Sequence, residues 1–167
     1  MSDANPVRTL TADLCDAHED AYVVPTRFLS VGARSECIGP ADVIATQDDN
    51  SLVAEALRGP GDGRVLVVDN RGSTRCAMVG GDLGRAAHEN GWLGIVVNGA
   101  IRDTVELREV PIGIFALASC PRKSEKRGIG VRGEPIGIVD VVVHRDDIVA
   151  ADPDGVVFIP ADSYKGV

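Results

Sequence analysis

A chain of 167 residues is long enough for one ordinary domain and too short for two full-sized ones, so it is read as a single domain over 1–167. Apolar residues make up 44% and charged residues 25%, which excludes a disordered chain, while 4% aromatic content leaves few platforms for stacking bases. With 17 Lys and Arg against 25 Asp and Glu, the formal net charge of −8 excludes a general electrostatic footprint for nucleic acid and favours basic protein partners.

No stretch has the apolar length of a membrane span. Met1 to Asp20 carries five acidic residues and no apolar run, unlike a signal peptide. The expected setting is cytoplasmic, with no membrane and no direct nucleic-acid contact. Cys15, Cys37, Cys76 and Cys120 are scattered, without a CxxC pair or a histidine placed to complete a zinc site, and read as small buried apolar residues.

In chain order, Thr9 to about Asp20 reads as a short helix with Leu10, Leu14 and Ala17 on one face, ended by Pro25. A strand-like stretch follows over Phe28–Ile38, with Gly39-Pro40 as punctuation. Asp42–Thr46 reads as a strand, and Ser51–Leu57 as a helix with Ser51 as N-cap and Gly59-Pro60 as stop. Arg64–Asp69 holds the run Val65-Leu66-Val67-Val68, the pattern of a strand buried on both faces. Asp82–Asn90 reads as helix ended by Gly91, and Leu93–Val97 as a second buried strand that Asn98-Gly99 turns toward Arg102-Asp103. A short helix over Asp103–Arg108 leads to a third apolar strand, Ile112–Leu117. Strand, helix, strand, helix, strand is the grammar of a parallel sheet with crossover helices. Beyond Ser119 come a basic, glycine-containing loop over Pro121–Gly133 and a β-rich run over Ile136–His144. The turn Asp152-Pro153-Asp154-Gly155 and the strand Val156–Ile159 close the chain.

Ligands of parallel α/β sheets bind at the carboxyl ends of the strands, where loops turn into helix N-termini. Two loops qualify. The first ends in Gly80-Gly81-Asp82-Leu83, where consecutive glycines permit close approach and free N–H groups at the helix start suit a small carboxylate or phosphate. The second is Asn98-Gly99-Ala100-Ile101-Arg102-Asp103-Thr104-Val105-Glu106. In it, Arg102 can grip a carboxylate with its planar fork. Asp103 can give one hard oxygen to Mg²⁺, and Glu106, three residues on and so on the same helical face, can hold a metal-bound water or move a proton. Anion clamp, metal and proton acceptor together suit 2-oxo-acid chemistry.

These residues carry a resemblance. The runs Cys76-Ala77-Met78-Val79-Gly80-Gly81-Asp82-Leu83 and Asn90 to Asp103, then Ile112 to Leu117, Pro121 to Ser124 and Asp147 to Pro160, resemble the RraA-like family over about Leu10 to Pro160. That family contains regulators of ribonuclease E activity and class II 4-hydroxy-4-methyl-2-oxoglutarate aldolases. The resemblance implies a three-layer β/β/α fold of the swivelling phosphohistidine-domain type, assembled as a homotrimer or a hexamer with sites near subunit boundaries. It implies that Gly80, Gly81, Asp82 and Leu83 bind the pyruvate moiety, that Arg102 binds its carboxylate and that Asp103 ligates a divalent cation, Mg²⁺ or Mn²⁺. The aldolases also carry an acidic residue three positions after that Asp, here Glu106. The family's basic segment gives Arg122 and Lys123 a supporting role.

The sequence departs from the pattern in two places. Many members have Asp immediately after the first glycine of the turn, where this chain has Gly81 with Asp82 one position along. The long C-terminal extension of the larger aldolases is also missing. The activity implied is metal-assisted carbon–carbon cleavage of 4-hydroxy-4-methyl-2-oxoglutarate or related 4-hydroxy-2-oxo acids, with oxaloacetate decarboxylation at the same site, both leaving pyruvate enolate for the cation and Arg102 to stabilise. The alternative is a non-catalytic acidic trimer that restrains ribonuclease E. A methyltransferase role finds no support, because no glycine-rich loop is placed for S-adenosylmethionine. His18, His88 and His144 lie outside both loops, Trp92 reads as a core or subunit-contact residue, and neither Ser119 nor Ser124 has a His/Asp constellation to make it a nucleophile.

Overall fold

The computed structural model describes residues 10–166. Its first half runs α1 (Leu10–Ala17), β1 (Tyr22–Val23), β2 (Leu29–Ser30), β3 (Cys37–Ala45), α2 (Ser51–Arg58), β4 (Val65–Asp69), β5 (Ala77–Val79) and α3 (Gly81–Glu89). The second half runs β6 (Gly94–Ile101), α4 (Thr104–Leu107), β7 (Gly113–Ser119), β8 (Val131–Arg132), β9 (Ile136–Ile138), β10 (Val141–Val143), β11 (Ile148–Asp152) and β12 (Gly155–Ile159). Thr9, the expected start of the first helix, lies outside the described residues, as does Asp3, the first of the five acidic residues up to Asp20. No helix among the described residues is long and apolar enough to cross a membrane.

The expected parallel grammar forms the centre. β3, β4, β6 and β7 are parallel neighbours, with α2, α3 and α4 in the connections between them. The run Val65–Val68 is buried on both faces. Leu66 and Val68 pack with Val53, Leu57, Leu83, Ala87 and Leu107 of the three helices, while Val65 and Val67 face the other way, toward Ile136, Val143, Val149, Val156 and Phe158. The second β layer is β1–β12–β11 with the β9–β10 hairpin, so helices, parallel sheet and antiparallel strands stack as three layers. Leu10 and Leu14 of α1 cover the outer side of that layer, against Ala150, Val157 and Ile159.

Several local expectations need correction. Gly39-Pro40 does not end a strand: β3 runs through it and changes partners there, pairing with β11 over Cys37–Pro40 and with β4 over Ala41–Ala45. Asn98-Gly99 is not a turn either. β6 passes through it with a register shift between Val97 and Ala100, and Gly99 is needed because a Cβ there would stand 2.9 Å from Asn70 Cβ. Of Phe28–Ile38, only Leu29–Ser30 and the start of β3 are strand. The N-cap of α2 is Asn50, not Ser51. Asp49 Oδ1 accepts the Ser51 N–H at 2.9 Å, and the Ser51 hydroxyl instead accepts from Gly128 N–H at 3.1 Å.

The cysteines and Trp92 are close to expectation. Cys37 and Cys76 are buried, Cys15 and Cys120 half-buried, and all four thiols are free. Trp92 is a core residue whose indole N–H donates to Gly59 O at 3.2 Å.

Candidate active site

Two chain crossings at the carboxyl ends of β5 and β6 build the site. After β5 the chain enters α3 through Gly80, in extended conformation, and the N–H groups of Asp82 and Leu83 belong to a first turn that has no helical carbonyl to donate to. After β6 the chain reverses at Asp103, whose φ of 57° and ψ of 42° are left-handed. An L-residue other than Gly adopts that conformation at a cost of about 1–2 kcal/mol, least for Asn and Asp, so the surroundings must hold it. They do so on both sides: Arg102 N–H donates to Val79 O at 2.9 Å, and Leu107 N–H donates to Asp103 O at 2.9 Å.

α4 is a single turn and too short to persist by helix propensity. Leu107 anchors it, fully buried among the helices, a burial worth about 1.5–3 kcal/mol. Gly84 of α3 sets the spacing, since a Cβ there would stand 2.4 Å from Leu107 Cδ2.

The two crossings are tied together by one hydrogen bond, from Gly81 N–H to Asp103 Oδ2 at 2.9 Å. The Arg102 Nε lies 3.9 Å from the same oxygen. Gly80 leaves no room for a side chain, because a Cβ would stand 2.7 Å from Asp103 Oδ2. A Cβ on Gly81 would stand 2.2 Å from Glu106 Oε2. Any side chain at this position would therefore compete with Glu106 for the same space.

A cavity of about 360 Å³ lies over this junction, within the size range of small-molecule sites. Gly80, Gly81, Asp82, Leu83, Arg102, Asp103 and Lys123 line it, so the structure brings together both loops singled out in the sequence. It also adds Asn50, Arg58, Ser124 and Lys126, which sequence reasoning did not assign. Lys126 sits in the basic run and was within reach of that signal. Nothing in the sequence separates Arg58 from any other helix-terminal arginine. Asn50 donates through Nδ2 to Met78 O at 3.2 Å, and its Oδ1 and the Ser124 Oγ are buried without partners among the described residues. Orphaned polar atoms beside a cavity mark where a ligand or a water belongs.

Glu106 is not on this wall. The left-handed turn at Asp103 takes the two carboxylates out of the shared-face arrangement that three-residue spacing suggests, and they flank Gly81 from different sides. Arg85 holds Glu106 at 2.8 Å and also binds Asp82, whose side chain is 90% exposed. The hydrogen bond to Glu106, reinforced by the charge of Asp82, holds Arg85 still more firmly in its charged form. Arg122 lines a neighbouring cavity with Arg75 and Arg127. His88 is exposed on α3, and His144 lies 3.5 Å from Asp147. His18 is buried, stacked on Tyr164, and its Nε2 accepts the Lys165 N–H at 3.0 Å.

Among the described residues no three His, Cys, Asp or Glu side chains converge. Asp103 is a solitary donor with one oxygen committed to Gly81, the other without a protein hydrogen bond among the described residues, and the side chain 39% exposed. That set does not make a zinc cage. It fits Mg²⁺ or Mn²⁺, which takes one or two protein carboxylates and completes its shell with water and ligand oxygens.

The fold and the site thus define an α/β protein with a small, cation-rich cavity at the carboxyl ends of its parallel strands. The chain belongs to the RraA-like family, described as Aldolase/RraA, whose pattern matches residues 11–158. A Burkholderia mallei relative is 49% identical over 152 residues, covering 87% of this chain and 92% of its own, and its name, 4-hydroxy-4-methyl-2-oxoglutarate aldolase, is itself provisional. Among solved structures, the RNA-processing inhibitor RraA from Thermus thermophilis superimposes with a TM-score of 0.88 at 43% identity, over 92% of this chain and 94% of that one. A Geobacillus kaustophilus structure named as an S-adenosylmethionine: 2-dimethylmenaquinone methyltransferase gives 0.87 at 39% identity, over 93% and 99%. Relatives this similar carry three different activity names, so the function has to be argued from the site.

Proposed function

We propose that this protein is a divalent-metal-dependent carbon–carbon lyase that cleaves 4-hydroxy-4-methyl-2-oxoglutarate or a related 4-hydroxy-2-oxo acid to pyruvate and decarboxylates oxaloacetate at the same site. It would work as a cytoplasmic homotrimer or hexamer. The observation that carries the proposal is the junction itself: Asp103 fixed by the Gly81 N–H, with Arg102 beside it, at the floor of one cavity. Asp103 would hold the cation, Mg²⁺ or Mn²⁺, which would supply Lewis acidity at the ketone oxygen of the substrate.

The remaining work falls to the chain's own groups. Arg102 binds the 2-oxo carboxylate through its planar fork. The free N–H groups of Asp82 and Leu83, at the positive end of α3, face the negative charge left on the three-carbon fragment when the bond breaks. Gly80 and Gly81 keep that backbone reachable, and Leu83, buried at the same turn, presents an apolar wall. Lys123, and Arg122 behind it, add positive potential at the rim. Glu106, outside the cavity wall and steadied by Arg85, would act at one remove, ordering a water that takes the substrate hydroxyl proton.

A coupled pyruvate assay tests the proposal, with oxaloacetate and 4-hydroxy-4-methyl-2-oxoglutarate as substrates. Turnover should require the cation and disappear in Asp103→Ala. No metal-dependent turnover, or an unaltered Asp103→Ala enzyme, would refute it.

A second reading has its own support in the likeness to the Thermus inhibitor and the charge of −8: the protein restrains ribonuclease E by binding its basic segments. Such contacts would be electrostatic and salt-sensitive. The two activities need different surfaces, and a pull-down at low salt that recovers no ribonuclease would exclude the second.

A further inference from the structure

We propose that Arg58 is the specificity-determining residue of the cavity and binds a second carboxylate, distal to the 2-oxo acid group. On this reading Arg58 is what selects the dicarboxylic 2-oxo acids named above over monocarboxylic ones. The proposal rests on the assignment of Arg102 to the 2-oxo carboxylate.

The cavity wall carries four cations, Arg58, Arg102, Lys123 and Lys126, against two carboxylates, Asp82 and Asp103. Asp82 is already bound to Arg85, outside the wall, and Asp103 lies beside Arg102. Arg58, Lys123 and Lys126 take part in none of the ion pairs among the described residues. In a protein of net charge −8, three cations without counter-charges around one concave site repel each other and focus a positive potential into it. One carboxylate on Arg102 leaves those three charges unmatched; a second, placed among them, neutralises one of the three.

Arg58 is the best suited of the three to fix where the second carboxylate goes. It is the last residue of α2, whose Val53, Ala54, Ala56 and Leu57 are buried against the sheet and whose C-terminal end favours a cation. Its fork is therefore carried by a docked helix, whereas both lysines come from the loop after β7. It also approaches the same cavity from a different element than Arg102. A guanidinium binds a carboxylate with two parallel hydrogen bonds, which selects for position as well as charge.

Calorimetric titration with two non-cleavable probes in the presence of Mg²⁺ tests this. Pyruvate and 2-oxoglutarate share the 2-oxo acid head and differ in the distal carboxylate. The wild-type protein should bind 2-oxoglutarate at least tenfold more tightly than pyruvate. Arg58→Gln should erase the preference while leaving pyruvate affinity unchanged, Arg58→Lys should keep part of it, and Arg102→Gln should weaken both acids. A wild-type protein without preference, or an Arg58→Gln variant that retains it, overturns the assignment of Arg58. Unchanged binding of both acids by Arg102→Gln instead overturns the reading of Arg102, and a wild-type protein that binds neither acid overturns both. Arg58 is exposed, so thermal melting of the variants will show that the fold is kept.

Discussion

Gly80→Ala tests the junction between the two loops without removing any functional group. Gly80 has φ −122° and ψ −171°, which alanine adopts freely, so the backbone carries no penalty. The new methyl would stand 2.7 Å from Asp103 Oδ2, with Arg102 Cγ and Nε each at 3.4 Å. Relief requires the carboxylate to retreat by about 0.5–1 Å, judged against ordinary van der Waals separations. The bond from Gly81 N–H, now 2.9 Å, would then exceed hydrogen-bonding distance. A hydrogen bond to a charged group contributes about 1.5–3 kcal/mol when sheltered, but Asp103 is 39% exposed, so about 1 kcal/mol or less is expected here. For a chain of this size that lowers Tm by roughly 2–4 °C.

The effect on catalysis should be far larger, since a misplacement of about 1 Å can cost about 100-fold. Pyruvate release from oxaloacetate, coupled to lactate dehydrogenase, should therefore show kcat/KM down by about 100-fold and the Mg²⁺ midpoint raised. Gly137→Ala is the control, because a Cβ there meets nothing within 4 Å. A Gly80→Ala enzyme with wild-type kcat/KM and an unmoved Mg²⁺ midpoint would refute the reasoning.

Three further outcomes are expected. Arg85→Gln releases Glu106 at an exposed pair, so kcat should fall about tenfold while KM and Tm hardly change, as steady-state kinetics and melting will show. Burial, and then the neighbouring charge of Asp48, push the Cys76 thiol up to about 11, so thiol reagents at pH 7.5 should label Cys76 only after unfolding. Hydrogen bonds from Ser73, Asn70 and Cys76 hold Asp48 below the usual carboxylate range against the opposing effect of burial. At Asp49, burial raises the value, but donors from Ser51 and Arg127 outweigh it. Both folded values lie below the unfolded value of about 3.9, so their contribution is complete above roughly pH 5 and is lost as pH falls through the folded values. Acid melting curves should show Asp49→Asn and Asp48→Asn flatter than wild type in that window.

How much of this was legible in the sequence depended on the range of the interactions. Val65–Val68 and the helix over α3 follow from local periodicity, and the structure keeps both. The Asn98-Gly99 pair has the composition of a turn, yet Gly99 is there to let the loop at Asn70 and Ser73 approach β6, a contact between distant segments. Gly39-Pro40 has the composition of a break for a similar reason, since its role is to pass one strand between two layers. β1, β5, β8 and β11 are not legible as strands, the first three because two or three residues carry too little pattern to register. At the site, Arg102, Asp103 and the glycine turn were marked by adjacency and spacing. The position of Glu106 was not, because a helical spacing rule fails when its first member sits in a left-handed turn. Arg58 and Asn50 reach the cavity from α2 and the residue before it, and only the packed fold joins them to Asp103.

The central claim is that a single aspartate, positioned by the Gly81 N–H, holds a divalent cation. Electron paramagnetic resonance of Mn²⁺ titrated into the protein with pyruvate present measures it directly. The wild-type protein should bind one Mn²⁺ per chain, and Asp103→Asn, with its fold intact, should bind none at the same concentration. Equal binding by both proteins, or none by the wild type, would contradict the account.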